Sequence, residues 1–130
     1  MFSMRALCPV RSVAELVDWA KRDRLIYASG GIGVLSHLVG EMFRQSTGIQ
    51  ATHVPYKGQS LAITAALGGE VDLTFNSIGP LLPFVKTNRL RLVATTGSKR
   101  SAILPDVPTI AESGLPGYEA GSWYGFAAPA

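Results

Sequence analysis

A single cysteine, Cys8, among 130 residues cannot close an internal disulfide, and no second cysteine is present to form a CxxC pair or a cysteine-rich metal site. Histidine is almost as scarce. His37 and His53 stand in no HExxH or HxH arrangement, so the sequence predicts no bound metal. Charged residues make up only 16% of the chain, and the net charge of +3 is a mild bias towards anionic small molecules or a solvated surface. The basic residues are dispersed and do not alternate with aromatics along one face, which argues against a nucleic-acid partner. Gly, Ser, Thr or charge interrupts every apolar stretch before the roughly twenty residues needed to cross a bilayer. The opening MFSMRALCPVRS also lacks the apolar run of a signal peptide, so nothing in it predicts export, and the chain by itself is expected to stay cytoplasmic.

What is present suits a single α/β domain over residues 1–130, since 47% hydrophobic residues can fill one core and frequent Gly and Pro supply short turns. Ser12-Val13-Ala14-Glu15 is a capping box that predicts a helix to about residue 22, apolar along Val13, Leu16, Val17 and Ala20. Leu25-Ile26-Tyr27-Ala28 reads as a buried strand ending at Gly30-Gly31. Beyond it Leu35, Leu38, Val39, Met42 and Phe43 recur at helical spacing as far as Gly48. The alternation continues with strands over 51–56, 71–75 and 91–95 and helices over 60–67 and 81–87. A second capping box, Thr109 to Glu112, predicts a short helix closed by Gly114, and an extended segment is expected over 118–128. Strands alternating with helices across short connections imply a mainly parallel sheet with helices on both faces.

In such sheets ligands bind beyond the carboxyl ends of the strands, which singles out the loops 28–34, 56–59, 76–79 and 96–98. Ser29-Gly30-Gly31-Ile32-Gly33 joins a strand to a helix and can aim backbone N–H groups at an anion, or its glycines can merely serve a cramped turn. A dinucleotide site is disfavoured, because Ser36 stands where GxGxxG expects its third glycine and no acidic residue lies near position 53. No Gly-Lys-Ser/Thr follows the turn, which excludes a Walker loop. No nucleophile sits beside a base and an orienting acid, so no enzyme chemistry is expected. His37, one turn into the next helix, can face the site or pack and cap locally. His53, mid-strand, reads as a packed or surface histidine. Trp123 and Tyr124 read as interface aromatics.

The segment from Tyr27-Ala28-Ser29-Gly30-Gly31-Ile32-Gly33 to Gly40-Glu41-Met42-Phe43 resembles the extracytoplasmic solute receptors called Bug or TctC-like proteins. So do His53-Val54-Pro55-Tyr56-Lys57-Gly58, Leu67-Gly68-Gly69-Glu70-Val71-Asp72, Leu104-Pro105-Asp106-Val107-Pro108-Thr109, Glu112-Ser113-Gly114 and Ser122-Trp123-Tyr124-Gly125. The resemblance implies one lobe, the second, of a type II periplasmic-binding (Venus flytrap) fold. The first lobe and the returning segment after the last strand would then be absent. It implies non-catalytic binding of a small carboxylate without a cofactor, a periplasmic setting, and permease subunits of a tripartite tricarboxylate transporter as partners. An effector-sensing module of a LysR-type regulator is the alternative. The ligand-binding residues expected are Ser29, Gly30, Gly31, Gly33, Val34, His37, Tyr56 and Asn76. Two of them depart from the family pattern, which has Ser or Thr at Val34 and Asp at Asn76, and the second change favours plain carboxylates over amino acids. The face that would meet the missing lobe, around Trp123 and Phe126, predicts self-association.

Overall fold

The computed structural model describes residues 2–5, 10–122 and 128–129. Among them the chain runs β1 (Phe2–Arg5), α1 (Val13–Arg22), β2 (Leu25–Ser29), α2 (Leu35–Thr47), β3 (Ala51–Pro55), α3 (Gln59–Gly68), β4 (Leu73–Phe75), α4 (Ile78–Lys86) and β5 (Leu90–Ala94). The strands form one five-stranded sheet in the order β3-β2-β4-β1-β5. β2 is parallel to β3 and to β4. The mainly parallel sheet is therefore present, with one addition that the sequence reading missed. β1 runs antiparallel to both of its neighbours, β4 and β5.

Alternation along β2 sends side chains to two cores. Leu25 and Tyr27 join Leu16, Phe43, Phe75 and Val93 on the face covered by α1 and α2. Ala28 joins Ala62, Ile63, Ala66, Leu81 and Leu90 on the face covered by α3 and α4. Close approach fixes the first of these layers. A Cβ on Gly40 of α2 would lie 2.3 Å from a Tyr27 ring carbon, so only glycine lets the helix rest on that ring.

α1 begins as expected, with Ser12 Oγ accepting the Glu15 N–H at 3.1 Å. The Glu15 carboxylate reaches past the cap to the Arg11 N–H at 2.7 Å, so the box is not closed on Ser12 itself. α4 starts at Ile78 rather than near residue 81, because Pro80 falls in the first turn, where its missing N–H costs nothing. The second capping box forms in both directions: Thr109 N–H donates to Glu112 Oε2 at 2.8 Å and Glu112 N–H to Thr109 Oγ1 at 3.0 Å. It opens only turns and not the expected helix, since Gly114 at φ +109° and Pro116 follow too closely. Residues 118–122, expected to be extended, carry no strand, although Ala120 N–H bonds the Thr96 carbonyl at 2.8 Å. Trp123, Tyr124 and Phe126 lie outside the described residues, as does Cys8.

Candidate functional site

The strands β2, β4 and β5 point their carboxyl ends to one edge, and there the chain leaves a cavity of about 170 Å³. Leu35 and Ser36 line it from the start of α2, Gln59 from the start of α3, and Ser77 and Ile78 from the start of α4. Phe75 and Asn76 close β4 against it, Thr96 follows β5, and Ala120 to Ser122 complete the wall. Three helix N-termini thus converge on one space, each with first-turn N–H groups that have no partner inside their own helix. Among the described residues no Asp, Glu, Lys, Arg or His lines it. Its positive character comes from peptide dipoles rather than from ionised side chains.

Two side chains on this wall are nearly buried yet not fully bonded. Ser36, 6% exposed, accepts the Gly30 N–H at 3.1 Å, and among the described residues its hydroxyl donates to no acceptor. Asn76, 4% exposed, donates from Nδ2 to Thr74 Oγ1 at 2.6 Å, and Thr74 in turn donates to the Ala28 carbonyl at 3.3 Å. Asn76 Oδ1 is left without a partner. Buried polar atoms are seldom left so.

Of the residues singled out in the sequence, Asn76 lines this cavity; Ser29, Gly30, Gly31, Gly33, Val34, His37 and Tyr56 do not. The glycine turn lies behind Ser36, and its three glycine N–H groups are already engaged by side chains. Gly30 N–H goes to Ser36 Oγ, Gly31 N–H to Ser29 Oγ at 3.2 Å, and Gly33 N–H to His37 Nδ1 at 3.0 Å. Gly31 at φ +145° and Gly33 at φ +79° need glycine for the backbone alone. Val34 is the N-cap of α2 and makes no side-chain cap bond, with its side chain partly in solvent. Tyr56 extends the parallel ladder through its N–H to the Ser29 carbonyl at 3.0 Å, while its hydroxyl donates to Glu70 at 3.1 Å. Burial, then the bond to Glu70, pushes that phenol above its usual range. Sequence reasoning overlooked Ser36, treating it only as a failed glycine. The signal available was a hydroxyl at the second helical position after a glycine turn.

On the opposite side of the turn the two histidines meet. His37 of α2 stacks on His53 of β3 with ring centroids 4.2 Å apart and planes 16° from parallel, and His53 stacks in turn on Tyr27 at 4.9 Å. His53 Nε2 lies 2.6 Å from Ser29 Oγ, whose hydroxyl also reaches the Gly31 carbonyl at 2.9 Å. Burial above all, and then the neighbouring His37, holds the His53 imidazole below the usual histidine range, while Glu41 pulls the other way. Tyr27 donates to Glu41 at 2.7 Å, and Glu41 is paired with Arg44 at 2.7 Å. The Arg44 bond first, then the Tyr27 bond, holds Glu41 below the usual carboxylate range. Among the described residues no three His, Cys, Asp or Glu side chains gather in a metal-ligating group.

Comparison with known proteins identifies the lineage. The model of the "tripartite tricarboxylate transporter family receptor" matches residues 2–130. A UPF0065 protein from the gbd 5' region of Cupriavidus necator is 37% identical over 123 residues, 93% of this chain and 37% of that protein. Protein BugT of Bordetella pertussis is 34% identical over 110 residues, 85% of this chain and 34% of BugT. Among solved structures, R. palustris Rpa4515 with adipate superposes at a TM-score of 0.89 with 36% identity, over 92% of this chain and 41% of that one. The periplasmic binding protein BugD gives a TM-score of 0.86 with 32% identity, over 92% of this chain and 40% of BugD. The chain spans roughly two-fifths or less of the length of these relatives. A family match along residues 2–130, joined to the shared fold, means that this chain belongs to the tripartite tricarboxylate transporter family of receptors, the Bug or TctC-like proteins.

Proposed function

We propose that this chain supplies one lobe, the second, of an extracytoplasmic receptor that grips a small carboxylate, performs no reaction, and delivers its ligand to the permease of a tripartite transporter in the periplasm. One observation carries the reading: three helix N-termini meet at a cavity where, among the described residues, no ionised side chain intrudes and the Ser36 hydroxyl donates to no acceptor. A carboxylate supplies acceptors for that proton and for the first-turn N–H groups. The adipate held by the R. palustris relative agrees in chemical class. At about 170 Å³ the cavity is smaller than the roughly 300 Å³ at which complete small-molecule sites begin, which suits one wall of a two-lobed enclosure. Each helix end contributes about 0.3 to 1 kcal/mol to a nearby anion, and a hydrogen bond to a charged group about 1.5 to 3 kcal/mol. Against an association cost of at least about 4 kcal/mol, the lobe alone should bind no more tightly than roughly tens of millimolar.

Titrating the labelled chain with adipate, glutarate and succinate while following the amide resonances of Ser36, Asn76 and Thr96 tests this. Binding should shift all three, and Ser36→Ala, which removes the hydroxyl donor from the wall, should weaken it by roughly tenfold. If saturating adipate moves none of these resonances in a folded chain, the reading is wrong.

A further inference from the structure

We propose that this lobe recognises its ligand as one carboxylate head carrying a hydrocarbon arm, and that the arm lies on an apolar bed made by Phe75, Ile78, Val39 and Leu35. The inference rests on the carboxylate reading for the head and adds the chemical class of the remainder, of which that reading says only that the molecule is small. Part of the cavity wall takes no share in holding an anion. Leu35 and Val39 stand one helical turn apart on α2, so both project to the same side, and Phe75 at the end of β4 and Ile78 at the start of α4 complete an apolar surface. Val39 and Phe75 are almost fully buried, whereas Leu35 is 41% exposed and carries the surface outwards.

The bed continues beyond the cavity. Of the six large apolar side chains exposed among the described residues, Ile32, Val34, Leu35 and Leu38 fall within seven positions of the chain, and Leu35 belongs both to this group and to the cavity wall. Apolar side chains scattered singly over a surface need no explanation, but a group continuous with a cavity marks a surface that something apolar covers. A hydrocarbon arm suits it, because Leu35 and Ser36 are adjacent residues on the same wall, which sets the bed beside the hydroxyl assigned to the head. A second carboxylate on the bed would be stripped of water against carbon, with no cation to meet it, since no ionised side chain lines the cavity among the described residues. The lobe therefore selects for the length of the arm and not for a second charge at its far end.

The test titrates the isotope-labelled chain, at constant ionic strength, with propanoate, butanoate, pentanoate and hexanoate, and follows the Ser36 amide and the Leu35 and Ile78 methyls. A methylene withdrawn from water on all sides favours binding by about fourfold, and one open wall covers about half of it. Each added methylene should then tighten binding by about twofold, and hexanoate should bind about eightfold more tightly than propanoate. Adipate, which puts a charge in place of the far methyl, should gain over hexanoate no more than the about twofold advantage of its two equivalent ends. Leu35→Ser should flatten the series. Nuclear Overhauser contacts from the terminal methyl of hexanoate to the Leu35 and Ile78 methyls of the wild type give a second readout that does not depend on the variant folding. Propanoate and hexanoate binding alike, or adipate outranking hexanoate by more than its two ends allow, overturns the arm and leaves the carboxylate head in place. If none of the acids moves the Ser36 amide, the carboxylate reading falls and the arm with it. Leu35 and Ile78 methyls that respond to dilution of the ligand-free chain but not to hexanoate mean that a second copy covers the bed, which overturns the proposal as well.

Discussion

Replacing Gly40 by alanine sets helix propensity against packing. Alanine inside a helix is favoured over glycine by about 1 kcal/mol, so on local grounds the variant should be more stable. The Cβ would however stand 2.3, 2.8 and 3.0 Å from three carbons of the Tyr27 ring. That ring is 1% exposed, stacked on His53 at 4.9 Å and set edge-on to Phe75 at 5.9 Å, and its hydroxyl is held by Glu41 at 2.7 Å. It has nowhere to go. Overpacking costs about 1 to 3 kcal/mol and sometimes more, and a displaced ring also loses its bond to a carboxylate, worth about 1.5 kcal/mol or more. After the propensity gain is subtracted, Gly40→Ala should lose about 2 to 3 kcal/mol, a fall in Tm of roughly 10 °C for a domain of this size. Urea and thermal unfolding followed by circular dichroism measure both. The double variant Tyr27→Leu/Gly40→Ala should lose less than the sum of its parts. If Gly40→Ala is as stable as the parent, the helix does not rest on that ring as described.

Val34→Ser should stabilise the chain by about 1 kcal/mol, because Val34 is an N-cap without a cap bond; unchanged stability together with tighter adipate binding would show the hydroxyl facing the ligand instead. Ser12→Ala should cost about 1 kcal/mol through the lost cap bond to Glu15, read as a lower urea midpoint at unchanged slope. Tyr118→Phe removes a buried bond to the Val39 carbonyl at 2.9 Å and should cost about 1 kcal/mol in the same assay. Below about pH 6.5 the unfolded chain binds a proton at His53 more readily than the folded one, so stability should fall as pH drops into that range. A urea midpoint flat across it would contradict the burial assigned to that ring.

Much of the architecture was legible because periodicity and caps are local. The Ser12 cap, the apolar face of α1 and the Gly48 end of α2 follow from neighbours a few residues apart. β1 was not legible, since Phe-Ser-Met-Arg alternates over only four residues at the start of the chain and is a strand because residues 73–75 and 90–94 flank it. The start of α4 was hidden behind Gly79 and Pro80, which read as punctuation unless the first-turn exception is applied. At the site, the glycine turn was found at the right edge of the sheet, but of the residues singled out only Asn76 lines the cavity. Whether a backbone N–H faces a ligand or a side chain depends on where Ser36 and His37 come to lie, and spacing alone does not say which of two adjacent helical residues faces the cavity. The Ser29 to His53 contact joins residues of different strands and has no local sign at all.

The place of β1 has a consequence for how the chain assembles. Phe2 pairs with Phe75 on one side and Ala94 on the other, so the strand that joins β5 to the rest of the sheet closes two of the longest loops in the fold. Its pairings reward the chain only after most of the entropy of those loops has been spent, whereas β2, β3 and β4 can pair across much shorter separations. The three-stranded parallel unit with α2 and α3 is therefore suited to form first. β5 and the segment from Thr95 to Tyr118 that leans on it would be recruited last, and the wall that Thr96 and Ala120 give the cavity would be the final part of the lobe to take shape.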